Sequence, residues 1–133
     1  RNRMMDVFSV NTCSKTELTE ITSRVQESVA AAGVGNGVCM VYVPHTTAGV
    51  TINENADPTV RQDILKELNS IVPFEDGYAH REGNSAAHIK SSVLGCSCML
   101  PIRDGRLALG RWQGVFLCEF DGPRSRKVWV TCT

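Results

Sequence analysis

No stretch of the 133-residue chain approaches the roughly 20 consecutive apolar positions that a membrane span needs. Net charge is also missing: 14 basic side chains offset 14 acidic ones, which argues against a general nucleic-acid binder. There is no internal repeat, low-complexity tract or linker, so a single domain over residues 1–133 is expected. No apolar segment follows Arg1-Asn2-Arg3, and with no secretory signal the expected location is cytoplasmic. Histidine is scarce, at three residues. The His-Glu-x-x-His helix of metalloproteases is absent.

What remains is a globular composition, 42% hydrophobic and 21% charged. Residues 101–133 carry six basic side chains (Arg103, Arg106, Arg111, Arg124, Arg126, Lys127) against three acids (Asp104, Glu119, Asp121), a bias suited to a small anionic ligand. Six cysteines invite a disulfide reading. Cys39 and Cys118, however, sit inside apolar runs where a free thiol behaves as a small hydrophobe, and a reducing compartment is the default. Cys96-Ser97-Cys98 is weak as a metal motif.

Residues 7–12 read as a first strand. Leu18, Ile21, Val25 and Val29 recur at helical spacing, with Thr16 as N-cap and Gly33 and Gly35 at the end. The run 37–43 is apolar on both faces, so a strand buried on both sides is expected there, with the chain's own helices supplying part of its cover and neighbouring subunits the rest. A strand over 48–53 follows. Asp57-Pro58 then starts a second helix carried by Val60, Ile64, Leu68 and Ile71. Asn84 or Ser85 caps a short third helix ending at Leu94, with Gly95 behind it. From Cys96 onward the chain reads as strands over 96–101, 107–109, 112–120 and 127–132, turning at Asp104-Gly105 and Gly122-Pro123 and pairing as an antiparallel meander. The expected class is α+β: a mainly antiparallel, β-sandwich-like sheet with two longer helices and one short one.

Polar chemistry concentrates in four places. His45-Thr46-Thr47 ends a buried strand, where an imidazole and two hydroxyls suit a metal and a phosphate oxygen, or simply cap the strand. Asn53-Glu54 follows Val50-Thr51-Ile52. The run from His80 to His88 places one histidine before a helix and another in its first turns, with Asn84 at an anion-binding end. Glu119, ending an apolar run, needs a partner, and Arg124 or Arg126 across the turn could serve. Gln113 beside Trp112 offers an amide for a heterocycle edge.

Pro44-His45-Thr46-Thr47-Ala48-Gly49-Val50-Thr51-Ile52-Asn53-Glu54, then Gly77-Tyr78-Ala79-His80, Gly83-Asn84 and Ala87-His88, resemble the YjbQ-like family. So do Gly105-Arg106-Leu107-Ala108-Leu109-Gly110-Arg111-Trp112-Gln113, Glu119 and Asp121-Gly122-Pro123-Arg124. The resemblance, from about residue 5 onward, implies a homotrimer of α+β subunits with a polar pocket near a subunit boundary. It also implies a metal-binding or catalytic set of His45, His80 and His88, surrounded by Thr46, Asn53, Glu54, Asn84, Gln113 and Glu119. The implied activity is that of a weak thiamine-phosphate synthase, joining a pyrimidine diphosphate to a thiazole phosphate.

Three expectations follow. In the first, a trimeric enzyme uses His45, His80 and His88 to hold a divalent metal, zinc favoured and magnesium the alternative, with no organic cofactor. Thr46, Thr47, Asn53, Asn84, Gln113 and Arg124 would contact a small phosphorylated or anionic ligand. In the second, the same residues form a metal-assisted hydrolase with Glu54 or Glu119 as general base. In the third, the chain binds a ligand without turnover.

Overall fold

The computed structural model describes residues 5–133. Eight strands and three helices follow in the order β1 (Asp6–Asn11), β2 (Glu17–Glu20), α1 (Thr22–Ala32), β3 (Gly37–Tyr42), β4 (Ala48–Glu54), α2 (Pro58–Ile71), α3 (Ser85–Leu94), β5 (Ser97–Arg103), β6 (Arg106–Leu107), β7 (Gln113–Glu119) and β8 (Ser125–Cys132). The strands form two antiparallel sheets, β1-β8-β3-β5-β6 and β2-β7-β4. The class is α+β, as expected. The meander is not formed: among the described residues only β5 and β6 are consecutive neighbours, through the Asp104-Gly105 turn, where both residues have positive φ (52° and 78°). β7 and β8, adjacent in the chain, lie in different sheets.

The five-stranded and three-stranded sheets enclose one core, built from Cys39, Val41, Val43, Val50, Val115, Leu117, Val128 and Val130, with Val25 and Val29 of α1 packed in. The other face of the three-stranded sheet makes a second core. There Leu18, Phe116, Cys118 and Phe120 meet Ile64, Leu65 and Leu68 of α2 and Ala87 and Leu94 of α3. β7 is therefore apolar on both faces for a reason, and Gly114–Glu119 are all buried.

Two expectations change. Leu18 does not belong to α1, and Thr16 is not its N-cap; Glu17–Glu20 form β2, and the helix starts at Thr22 after Ile21. The apparent helical spacing joined residues of two different cores, since Leu18 packs in the second core while Ile21, Val25 and Val29 pack in the first. β3 is not buried on both sides within one chain. Cys39 and Val41 face inward, whereas Val38 and Met40 are each 37% exposed, and among the described residues no helix covers the outer face of the five-stranded sheet. α2 behaves as read: the Asp57 carboxylate accepts the Thr59 amide at 2.9 Å, and Pro58 occupies the first turn. Among the described residues no helix is long and apolar enough to cross a membrane.

A cleft between His45 and His88

β3 ends at Tyr42, paired with Trp129 of β8, and Pro44 cannot continue the ladder. The next outward-facing amide of β8, that of Lys127, is instead satisfied by a side chain: it donates to His45 Nε2 at 2.8 Å. An imidazole nitrogen that accepts a backbone N–H carries no proton, so the His45 ring proton sits on Nδ1. Burial lowers the His45 pKa below the ordinary imidazole value of 6.5, and the nearby Arg126 and Arg124 charges lower it further against the opposing pull of Glu119. His45 is thus a neutral, oriented N–H donor at pH 7.

His45 and Thr46 line one wall of an open cleft of about 350 Å³, and His88, Ser92 and Cys96 line the other. His88 reaches this position from the first turns of α3, whose Ala86 and Ala87 are buried against the sheet. On its other side His88 borders a second hollow of about 420 Å³ with Tyr78 and His80. The rings of His80 and His88 meet edge to face at 5.6 Å between centroids. His80 is exposed and lies 3.7 Å from Glu82. Asn84 precedes α3 and donates through Nδ2 to Asp121 at 3.0 Å, while its Oδ1 is buried without a partner. Arg124 closes on the same Asp121 carboxylate at 3.1 Å.

Glu119 and Thr47 stand behind this surface, not on it. Glu119 is fully buried and ion-paired with Arg126, itself 2% exposed. Arg126 Nε donates to Glu119 Oε1 at 2.9 Å, and its NH2 donates to the Thr47 hydroxyl at 2.8 Å and carbonyl at 3.0 Å. Thr12 donates to Glu119 at 2.7 Å, and the Asp121 amide donates at 2.9 Å. Burial alone would raise the Glu119 carboxyl; these hydrogen bonds and the guanidinium charge outweigh it and hold the group below the ordinary carboxyl value of 4.5. The network spans both sheets, with Glu119 on β7 and Arg126 on β8.

Asn53, Glu54 and Gln113 are not brought to the histidines. They occupy the far end of β4 and β7, where Glu54 pairs with Gln113, about 20 Å of extended strand away from the β4 start. Asn53 Oδ1 accepts the Glu54 amide, and Gln113 Oε1 accepts the Gly110 amide at 2.8 Å, so both side chains brace local backbone. Of the two arginines expected as partners for Glu119, Arg126 is the one that pairs with it, while Arg124 pairs with Asp121. β8 begins at Ser125, and the alternation Arg126, Val128, Val130, Cys132 that faces the core was the available signal.

The donor chemistry around His45 does not suit a metal ligand. Metal-bound histidines ordinarily donate their second N–H to an acceptor. His45 faces a donor there, so ligation through Nδ1 would demand an imidazolate or loss of the Lys127 contact. Among the described residues no group of three or more His, Cys, Asp and Glu side chains gathers closely enough to hold an ion.

The UPF0047 YjbQ-like family model matches residues 6–133. This chain belongs to that family. It is 47% identical over 128 residues to a UPF0047 protein of Methanocaldococcus jannaschii, covering 96% of this chain and 93% of that protein. To the UPF0047 protein YugU of Bacillus subtilis it is 44% identical over 128 residues, 96% and 97% of the two chains. A solved YjbQ/UPF0047 structure from Clostridium acetobutylicum superposes with a TM-score of 0.95 at 48% identity, covering 96% of this chain and 99% of that one. A YbjQ-like protein of unknown function from Sulfolobus solfataricus gives 0.93 at 33% identity, over 97% and 95%. None of these descriptions carries an activity. The expectation of a thiamine-phosphate synthase is corrected accordingly: YjbQ-like relatives matching nearly the whole chain bear only the family name, and the three-histidine ion site is not formed. The metal-assisted hydrolase falls with it, since it used the same ion.

Proposed function

We propose that this YjbQ-like chain binds a small anionic ligand, carboxylate or phosphate, in the cleft between His45 and His88, through neutral hydrogen-bond donors. The observation that carries this reading is the clamped His45 ring. With Nε2 taken by Lys127, the Nδ1–H is left as a donor on a residue lining the cleft. Two of the charges that act on His45, Arg126 and Arg124, favour an anion beside it, against the opposing Glu119 carboxylate. Thr46, exposed on the same wall, adds a hydroxyl.

The finer architecture belongs to the same reading. The outer face of the five-stranded sheet exposes Val7 (48%), Val38, Met40 and Met99 (67%), and we assign it to contact between copies in a homotrimer.

Long-range 1H–15N spectra test the ligand site directly. Expected are a protonated Nδ1 and bare Nε2 at His45 at pH 7, and a His45 Nδ1–H shift on titration with inorganic phosphate or acetate. Binding should weaken at least tenfold in a His45→Ala variant that keeps the wild-type Tm. An unshifted His45 resonance at millimolar concentrations of both anions would refute the proposal.

A further inference from the structure

Three of the six cysteines share the inner face of the five-stranded sheet: Cys98 on β5, Cys39 on β3 and Cys132 on β8. Cys39 and Cys132 are directly opposite in the β3–β8 register, while Cys98 is opposite Val41, two positions along from Cys39's own partner Leu100. The type of pairing decides how close the two sulfurs can come. Val38 and Thr133 exchange both backbone hydrogen bonds, at 2.9 Å each. In an antiparallel ladder the following pair, Cys39 and Cys132, is then the non-hydrogen-bonded one, with Cα atoms about 4.5 Å apart and side chains closest. That spacing falls within the roughly 4.4–6.8 Å found across disulfides. The two thiols already share a side-chain hydrogen bond.

All six cysteines are thiols in this structure. We propose that Cys39 and Cys132 form a redox-modification site: a thiol pair that a small disulfide oxidant converts to a cross-strand disulfide, covalently joining β3 to β8. In the first step one cysteine thiolate attacks oxidised glutathione, giving a mixed disulfide and releasing one glutathione thiolate. In the second the other cysteine thiolate displaces the second glutathione, so two thiol protons pass to the two glutathiones and two electrons reduce the oxidant.

Burial sets the conditions. Together with smaller contributions from the neighbouring Cys132 and Cys98, it raises the Cys39 thiol to about 12. The thiolate that must attack is therefore scarce in the closed sheet. Reaction follows opening of the ladder end, where Cys132 is the last residue of β8. The bond, once made, ties together the strand that leads to His45 and the strand whose Lys127 amide holds it. It closes a loop of most of the chain, the case in which a cross-link restricts the unfolded state most.

The test incubates the full chain with oxidised glutathione at pH 8 and a urea concentration just below the unfolding midpoint, followed by removal of urea. Expected are a mass lower by the two thiol hydrogens, a single Cys39–Cys132 linkage in the peptide map, and a Tm raised by about 10 °C that dithiothreitol reverses. Cys132→Ala should give no internal linkage, and Cys98→Ala should leave both the linkage and the Tm gain intact. A linkage through Cys98, a chain that keeps all six thiols, or an oxidised form of equal or lower Tm would overturn the proposal.

Discussion

At the scale of single residues, the Glu119–Arg126 pair shows how position decides the role of a charged group. A carboxylate taken wholly from water is costly unless every oxygen is matched, and here Arg126, Thr12 and the Asp121 amide match them. Removing one partner strands the other, so Glu119→Gln is expected to cost about 3–5 kcal/mol in urea unfolding. The pH dependence has a definite sign. Because the folded carboxyl sits below its ordinary value of 4.5, its stabilisation is complete above that pH. It is lost as pH falls from 4.5 through the folded value. Stability curves of the wild type should drop in that interval more steeply than those of Glu119→Gln. Parallel curves would show that the carboxylate contributes nothing. The apolar run ending at Glu119 made a partner necessary, but which arginine served depended on where β8 began.

At the scale of elements, the cleft exists because α3 docks closely on β4. The Ser91 hydroxyl donates to the Ala48 carbonyl at 2.6 Å, and the Val50 amide donates to the Gly95 carbonyl at 3.1 Å. Gly49 makes this approach possible: a Cβ there would sit 2.4 Å from the Gly95 carbonyl oxygen, a backbone atom with little room to yield. Gly49→Ala should cost about 2–3 kcal/mol, read as a lower urea midpoint with an unchanged m-value. It should also displace the His88 wall from the His45 wall. A substitution neutral in both stability and His45 chemical shift would contradict this packing. α2 was legible because cap and periodicity agreed, and α3 because Asn84 and Gly95 bracket it, although the Asn84 side chain turns to Asp121 and does not cap the helix. The start of α1 was not, because Leu18 lies at helical spacing from Ile21 yet packs on the other side of the three-stranded sheet.

At the scale of the molecule, one sheet of this chain is sandwiched and the other is bare on one side. The three-stranded sheet has cores on both faces, whereas the five-stranded sheet turns Val7, Val38, Met40 and Met99 outward. Exposed apolar side chains gathered on one face suit the contact between copies proposed above. Light scattering behind size exclusion should give a trimer mass for the wild type at micromolar concentration. The double substitution Met40→Glu, Met99→Lys should shift it to the monomer without lowering far-UV ellipticity. A monomeric wild type would remove the assembly proposal.

Composition and local pattern were enough to determine the class, the second and third helices, the Asp104-Gly105 hairpin and the burial of Cys39 and Cys118, since each rests on contacts or propensities a few residues long. They also marked His45, Thr46, His88 and Arg124 as chemistry-bearing. Only the tertiary structure decided how those residues are used. The Lys127 amide lies far from His45 in sequence, and pairing between strands, not spacing along the chain, brings it to Nε2. The same long-range pairing sends Asn53, Glu54 and Gln113 to the opposite end of the sheet and sets Cys39 against Cys132. A β-ladder joins residues by register, which no periodicity within either strand encodes.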